Sequence, residues 1–344
     1  MSLMHKLQKN SKIKFTERLD HSEFFQEKEV VQTDVPMLNV ALSGSLDGGI
    51  TPGLTVLAGP SKHFKTSFAL KMAASYLAAK SDAVMLFYDS EFGSPQSYFE
   101  TFGIDTSRVL HTPISNVEEL KFDLVNQLEA LDKEDDVIVV IDSIGNLASK
   151  KELEDALDEK SVADMSRAKA LKGLFRMVTP YLSMKNIPLL AINHTYKEIG
   201  LFPKDVVGGG TGIYYSANNI WIIGRRQNKT GQEVTGYDFV IKVEKSRFVK
   251  EQSKIPITVS WEGGIDKYSG LLEVALASGH VIKPSNGWYA KASNPDQKFR
   301  ASQLNADFWH DLLHDEEFAQ IIEKMYQIGQ SSSEVDLEIE VAND

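Results

Sequence analysis

Residues 57–70, LAGPSKHFKTSFAL, restrict the possible folds more than any other stretch of the chain. A short apolar run ends at Gly59, and Lys65 and Thr66 open a segment whose apolar residues recur at helical spacing. The order approximates the phosphate-binding pattern G-x-x-x-x-G-K-[ST]. Such a loop works because consecutive backbone N–H groups at a helix N-terminus wrap an anion. The lysine adds a point charge, and the hydroxyl takes Mg2+. It needs a buried strand before it and a helix after it. Gly59, Pro60, Ser61, Lys62, His63, Phe64, Lys65, Thr66 and Ser67 are therefore the candidate nucleotide-binding residues. Phe64 departs from the pattern by standing in the slot of the second glycine. A bulky residue there is expected to keep φ negative and to turn its ring away from the phosphates.

The following text supplies a sheet. AVMLFYD (83–89), VIVVIDS (137–143) and IPLLAIN (187–193) are apolar runs of strand length that end in polar residues. Between them, SNVEELKFDLVNQLEAL (115–131) has one apolar face and opens with Ser115 and Glu118 as a capping box. A second helix is expected over about 162–184. Strand alternating with helix predicts the α/β class, a mostly parallel sheet with helices on both faces. Ligands of such sheets sit beyond the carboxyl ends of the strands. Gly59, Asp89, Glu91, Asp142, Asn193 and His194 all fall there.

After residue 215 the pattern changes. NNIWIIGRR, YDFVIKVEKSR and SKIPITVSW read as antiparallel strands, with a turn at NKTG (228–231). The expected organisation is an N-terminal arm over 1–30, a core over 31–265 and a small C-terminal α/β unit over 266–330. The final 331–344, SSSEVDLEIEVAND, with five acids and no base, reads as a disordered acidic tail.

The chain has no cysteine, which excludes disulfides and thiolate metal sites. Its apolar runs are too short to cross a membrane. The opening MSLMHKLQKN lacks the apolar segment of a secretory signal, so a cytoplasmic location is expected. A net charge of -11 argues against a generic nucleic-acid coat but leaves room for a local basic groove.

Several side chains carry candidate chemistry. Asp142 ends a buried strand and suits an Mg2+ shell. Glu91 suits a base that orients or deprotonates an attacking water, although a solvated loop acid would look the same. His194, at a strand end, is placed to report on a γ-phosphate. Lys245 and Arg247 alternate along a strand and should share a face. Arg167, Lys169 and Lys172 on the long helix are candidate contacts to a phosphate backbone. So are Lys197, Lys204 and the glycine run Gly208, Gly209, Gly210 in the loop that follows. Taken singly, each of these cations also fits plain surface.

The order GPSKHFKT, FYDSEFG, VIVVIDS, AINHTY, VVGGGTG and VEKSR, with NGWYAK towards the C-terminus, resembles RecA-type strand-exchange recombinases. It is most similar to the UvsX-type branch of large tailed phages, over roughly residues 20–330. The resemblance implies a RecA-like P-loop NTPase core with a polymerisation arm. It implies a DNA-dependent ATPase that uses ATP and Mg2+, forms helical filaments on single-stranded DNA and pairs it with homologous duplex DNA. By position, Lys65 and Thr66 would bind phosphates and Mg2+, Asp142 would hold the Mg2+ shell, and Glu91 would activate water. Tyr98 would stack on adenine, and Lys245 and Arg247 would reach the ATP of a neighbouring subunit. His194 stands where bacterial relatives carry glutamine, and a bulky residue at position 64 is a feature of the phage branch. Residues 152–167 and 195–210 would be the DNA-binding loops, and Phe24 and Phe25 would belong to the arm. A single-strand binding protein and a recombination mediator are implied partners, and no membrane. Two other readings share the site: a ring helicase of the same fold, and an ATP-gated DNA-binding scaffold with little hydrolysis. The arm and the GWY unit favour a filament over a ring, and Glu91 speaks against the scaffold.

Overall fold

The computed structural model describes residues 2–13, 16–22, 29–158, 166–198, 203–230 and 233–329. The expectations for Phe24, Phe25 and the acidic tail lie outside them, as do 159–165 and 199–202 of the two loops.

Apolar runs and helical periods alternate in the chain, and so do the elements. Strands β1 (Gly53–Ala58), β2 (Val84–Asp89), β3 (Val109–Pro113), β4 (Val137–Asp142) and β5 (Pro188–Asn193) form the parallel part of one sheet. Strands β6 (Thr195–Lys197) and β7 (Asp205–Val207) make a separate hairpin-like pair beyond it. The long strands β8 (Ala217–Thr230) and β9 (Glu233–Ser246), then β10 (Lys254–Ser260) and β11 (Gly264–Ile265), return to the sheet and extend it. β8 runs parallel to β1, and from there on the pairing is antiparallel. The nine strands lie in the order β11-β10-β9-β8-β1-β5-β4-β2-β3. The phosphate-loop strand β1 thus sits mid-sheet, between β5 and β8.

The described residues form eleven α-helices: α1 (Leu3–Asn10), α2 (Pro36–Ser43), α3 (Lys65–Ala79), α4 (Gln96–Thr101), α5 (Val117–Ala130), α6 (Lys150–Leu157), α7 (Ser166–Met184), α8 (Thr211–Ser216), α9 (Leu271–Ala277), α10 (Ala306–Leu313) and α11 (Glu316–Tyr326). Side chains alternate across a strand, so each central strand feeds two cores. Leu57, Val140, Ile192 and Trp221 face the core built with α2 and α3. Val56, Val139, Ala191 and Ile220 face the one built with α5 and α7. The strands β12 (Val281–Ser285) and β13 (Trp288–Lys291) pair with each other beside α9. Phe308, Trp309, Phe318 and Ile322 of α10 and α11 join the first core. Backbone bonds Lys250 N–H to Tyr326 O (2.7 Å) and Ile328 N–H to Phe248 O (2.8 Å) stitch this C-terminal unit to the segment after β9.

One helix start differs from expectation. α5 is capped by Asn116, whose side chain accepts from Glu119 N–H at 2.9 Å. Glu119, not Glu118, reaches back to Ser115 N–H at 2.9 Å. The amide oxygen of Asn116 competes for the cap as well as a hydroxyl does, and the motif moves one residue along.

Candidate nucleotide-binding site

The loop between β1 and α3 forms one wall of a cavity of about 470 Å3. Its lining joins Lys65, Thr66 and Ser67 to Glu91, Tyr98 and His194. Chain segments far apart in sequence meet here because β1, β2, β4 and β5 are parallel neighbours whose carboxyl ends open on one edge. Gly59 is required by close approach: a Cβ there would lie 2.9 Å from the carbonyl oxygen of Ile223 on β8.

Phe64 overturns the expected negative φ. It adopts φ 60°, the left-handed region, as the N-cap of α3. Its ring stacks on Phe239 at 5.2 Å and meets Phe68 edge-on at 5.6 Å. The turn into α3 keeps the glycine-like backbone, and aromatic packing offsets a strain of about 1–2 kcal/mol.

Lys65 is 6% exposed, and its Nζ donates to Pro60 O at 2.7 Å. Burial pulls its ammonium below the ordinary lysine range, with the Glu91 and Asp142 carboxylates opposing. Thr66 Oγ1 donates to Asp142 Oδ2 at 2.8 Å. Burial pushes the Asp142 carboxyl up to about 6. Its other oxygen, Oδ1, is buried with no hydrogen-bond partner among the described residues. An orphaned buried carboxylate oxygen beside a threonine hydroxyl fits a hydrated Mg2+, which takes one or two protein oxygens and fills its shell with water and phosphate. Among the described residues no cluster of three or more acids and histidines could hold a metal unaided.

Glu91 follows β2, its backbone N–H bonded to Asp89 Oδ1 at 2.9 Å. Its carboxylate accepts from Ser143 Oγ at 2.7 Å and Asn146 Nδ2 at 3.1 Å, and lies 3.3 Å from His194 Nε2. The His194 contact is the main reason its carboxyl sits below the ordinary range. Tyr98 of α4 bonds through its hydroxyl to Ser67, which fixes the ring at the cavity wall. In the loop, His63 Nδ1 lies 2.9 Å from Ser61 O, while Pro60, Ser61 and Lys62 are exposed.

The other candidates lie elsewhere. Lys245 and Arg247 do not line this cavity. Arg247 falls one residue beyond β9, so strand alternation does not govern it, and it is exposed. Lys245 turns inward, its Nζ bonded to Tyr214 O and to Ala217 O, the latter at 2.8 Å. Arg167 donates to the carbonyls of Ile144 and Gly145 (2.9 Å each) and Leu147 (2.6 Å), tying α7 to the loop after β4. Lys169, Lys172 and Lys204 are exposed, and Lys197 is paired with Asp205 at 2.9 Å. Gly208 donates to His194 O at 3.0 Å and accepts from Asn193 Nδ2 at 2.7 Å, so the glycine run begins on the end of β5. Gly209 and Gly210 take φ 93° and 77°, the left-handed side that glycine permits, and lead into α8. Sequence reasoning missed Ser143 and Asn146, and also Arg225, Tyr237 and Trp261, which line the cavity from β8, β9 and the end of β10. Their signal was weak, since one turn residue or strand-end aromatic looks like any other.

The fold and the site define a P-loop nucleotide-binding protein with a RecA-type core. Residues 5–266 match the RecA N-terminal domain, and residues 268–322 match the C-terminal domain of the bacteriophage T4 recombination and repair protein. The chain is 51% identical to the recombination and repair protein of Enterobacteria phage T4, over 98% of this chain and 89% of that protein. It is 26% identical to the RecA protein of Syntrophus aciditrophicus over 79% of this chain and 78% of that one. Against the RecA protein of Thermus aquaticus the figure is 27%, over 76% of this chain and 75% of that one. The chain belongs to the RecA family, in the branch of the phage T4 recombination and repair protein.

Proposed function

We propose that this chain is an ATP-dependent phage recombinase that assembles a helical filament on single-stranded DNA, pairs it with homologous duplex DNA and exchanges strands. The observation that carries the reading is the meeting of Lys65, Thr66, Glu91, Tyr98 and His194 around one cavity, with Asp142 bonded to Thr66 at its floor. Lys65 and the loop amides hold the phosphates of ATP, Tyr98 stacks on the base, and Thr66 and Asp142 hold Mg2+. The ion supplies charge neutralisation for the departing phosphate. Glu91 accepts the proton of the attacking water.

The bonds from His194 and Asn193 to Gly208 give the nucleotide a physical route to the DNA loop. A γ-phosphate that biases His194 biases the start of the glycine run, and its loss on hydrolysis favours DNA release. Lys169, Lys172, Lys197 and Lys204 supply phosphate contacts, with Gly208, Gly209 and Gly210 lending backbone N–H groups. Arg167 serves by holding the helix that presents them. Lys245 and Arg247 act on the ATP of the next subunit, in keeping with their absence from the lining of this chain's own cavity, and Lys245 does so by releasing the carbonyls of Tyr214 and Ala217. The arm over 1–30 joins subunits, the core spans 31–265 and the small unit 266–330. A single-strand binding protein and a recombination mediator complete the system in the host cytoplasm.

The test is ATP hydrolysis with and without single-stranded DNA, in wild type and Lys65→Ala. DNA-stimulated turnover that the substitution abolishes supports the reading. Turnover indifferent to DNA overturns it in favour of another RecA-fold motor, and tight binding without turnover favours an ATP-gated scaffold.

A further inference from the structure

All the hydrogen bonds that reach the Glu91 carboxylate from the described residues fall on one oxygen. Ser143 Oγ (2.7 Å) and Asn146 Nδ2 (3.1 Å) donate to Oε1, and His194 Nε2 lies 3.3 Å from the same oxygen. The three groups come from two different strand ends. Ser143 and Asn146 follow β4, and His194 follows β5. The surroundings hold the arrangement in place. Ser90 Oγ donates to Ser143 O at 2.7 Å and accepts from Ser143 N–H at 3.0 Å, which ties the end of β2 to the end of β4. Gly145 leaves room for the imidazole: a Cβ at that position would lie 2.4 Å from His194 Cδ2.

We infer that Ser143 and Asn146 are positioning residues for ATP hydrolysis, clamping Glu91 through Oε1 so that Oε2 alone is presented to the attacking water. The inference rests on the ATPase reading above. An ionised carboxylate with one oxygen saturated by donors keeps its remaining lone pairs on the other. It also loses the freedom to rotate between the two. In the step, the water oxygen bonds to the γ-phosphorus, and the bond to the β–γ bridging oxygen breaks with its electron pair leaving on ADP. The water proton passes to Oε2. Asn146 is exposed, so its replacement does not open the core.

The experiment compares steady-state ATP hydrolysis on single-stranded DNA in wild type, Asn146→Leu, Asn146→Gln and Ser143→Ala, with ATP affinity measured alongside. Loss of one hydrogen bond to a charged group predicts a kcat about tenfold lower in Asn146→Leu. KM and nucleotide affinity should be unchanged, because the clamp does not touch ATP. Asn146→Gln, which keeps an amide donor, should recover most of the rate. Ser143→Ala, which loses the shorter of the two bonds, should fall at least as far as Asn146→Leu. A merely structural role would raise KM or leave the leucine and glutamine variants alike, and either result overturns the inference. Wild-type kcat in Asn146→Leu also overturns it and leaves the ATPase reading intact. Absence of hydrolysis in the wild type ends that reading and the inference with it.

Discussion

At the scale of single residues, the phosphate site holds groups in uncomfortable states. Burial raises the Asp142 carboxyl to about 6, with Glu91 and Asp89 adding to the rise and the Thr66 bond opposing it. The folded chain therefore binds that proton more tightly than the unfolded chain does. The resulting penalty is absent below the unfolded value, grows as pH rises through about 6 and is complete above it. Asp142→Asn removes the penalty. Without nucleotide or Mg2+, the variant should melt ~5 °C above wild type at pH ~8, with the gain shrinking towards pH ~4. Melting curves at both pH values check this, and a gain equal at both would refute it. Phe64 offers a second measurement. Its left-handed backbone is strained for any residue but glycine, while its ring packs on Phe68 and Phe239. Phe64→Ala loses the packing and keeps the strain, for a cost of about 2–3 kcal/mol. Phe64→Gly loses the packing but sheds the strain, and should be about 1 kcal/mol less damaging. Denaturant titrations of the two variants settle the order.

At the scale of elements, the strands that build the site were legible because burial on both faces leaves an unbroken apolar run. VIVVID and PLLAIN are fully buried along their length. The less visible elements carry other signals. β3, with Leu110 and His111 exposed, is an edge strand and lacks that run. α4 and α8 have six residues each, too short for a helical period to register. For the same reason the loop after β4 hid Ser143 and Asn146, whose value depends on where Glu91 lies in space. The inward turn of Lys245 was equally hidden. It bonds to carbonyls at the end of α8 and the start of β8, and burial, with Arg247 nearby, lowers its ammonium below the ordinary range. This lysine should hold α8 in place. Lys245→Met removes two charge-assisted bonds, each worth about 1.5–3 kcal/mol. Amide hydrogens of α8 should then exchange at least ~10 times faster in the nucleotide-free protein. Hydrogen exchange confined to residues 211–216 is the readout, and unchanged protection would leave Lys245 without that role.

At the scale of the whole molecule, an acidic protein is proposed to bind an acidic polymer. The charge balance of -11 acts against association, and the proposed site for DNA is a local set of cations along α7 and the loop before α8. The last fourteen residues carry five carboxylates and no base, so nearly half the net charge resides in 331–344. We propose that this polyanion competes with DNA for the same cations. A ligand carried on the same chain as its site acts at a high effective concentration. Removing 331–344 should therefore strengthen binding to single-stranded DNA and shift its dissociation to higher salt. Competition by a polyanion is itself weakened by salt and by Mg2+, so the gain should be largest in dilute buffer and fade as either rises. Fluorescence anisotropy of labelled single-stranded DNA, titrated with salt for the full chain and the truncated one, measures both effects. Coincident curves at every salt and Mg2+ concentration would show that the tail does not compete for the groove. Parallel curves offset by a constant factor would point to a contact that salt does not screen.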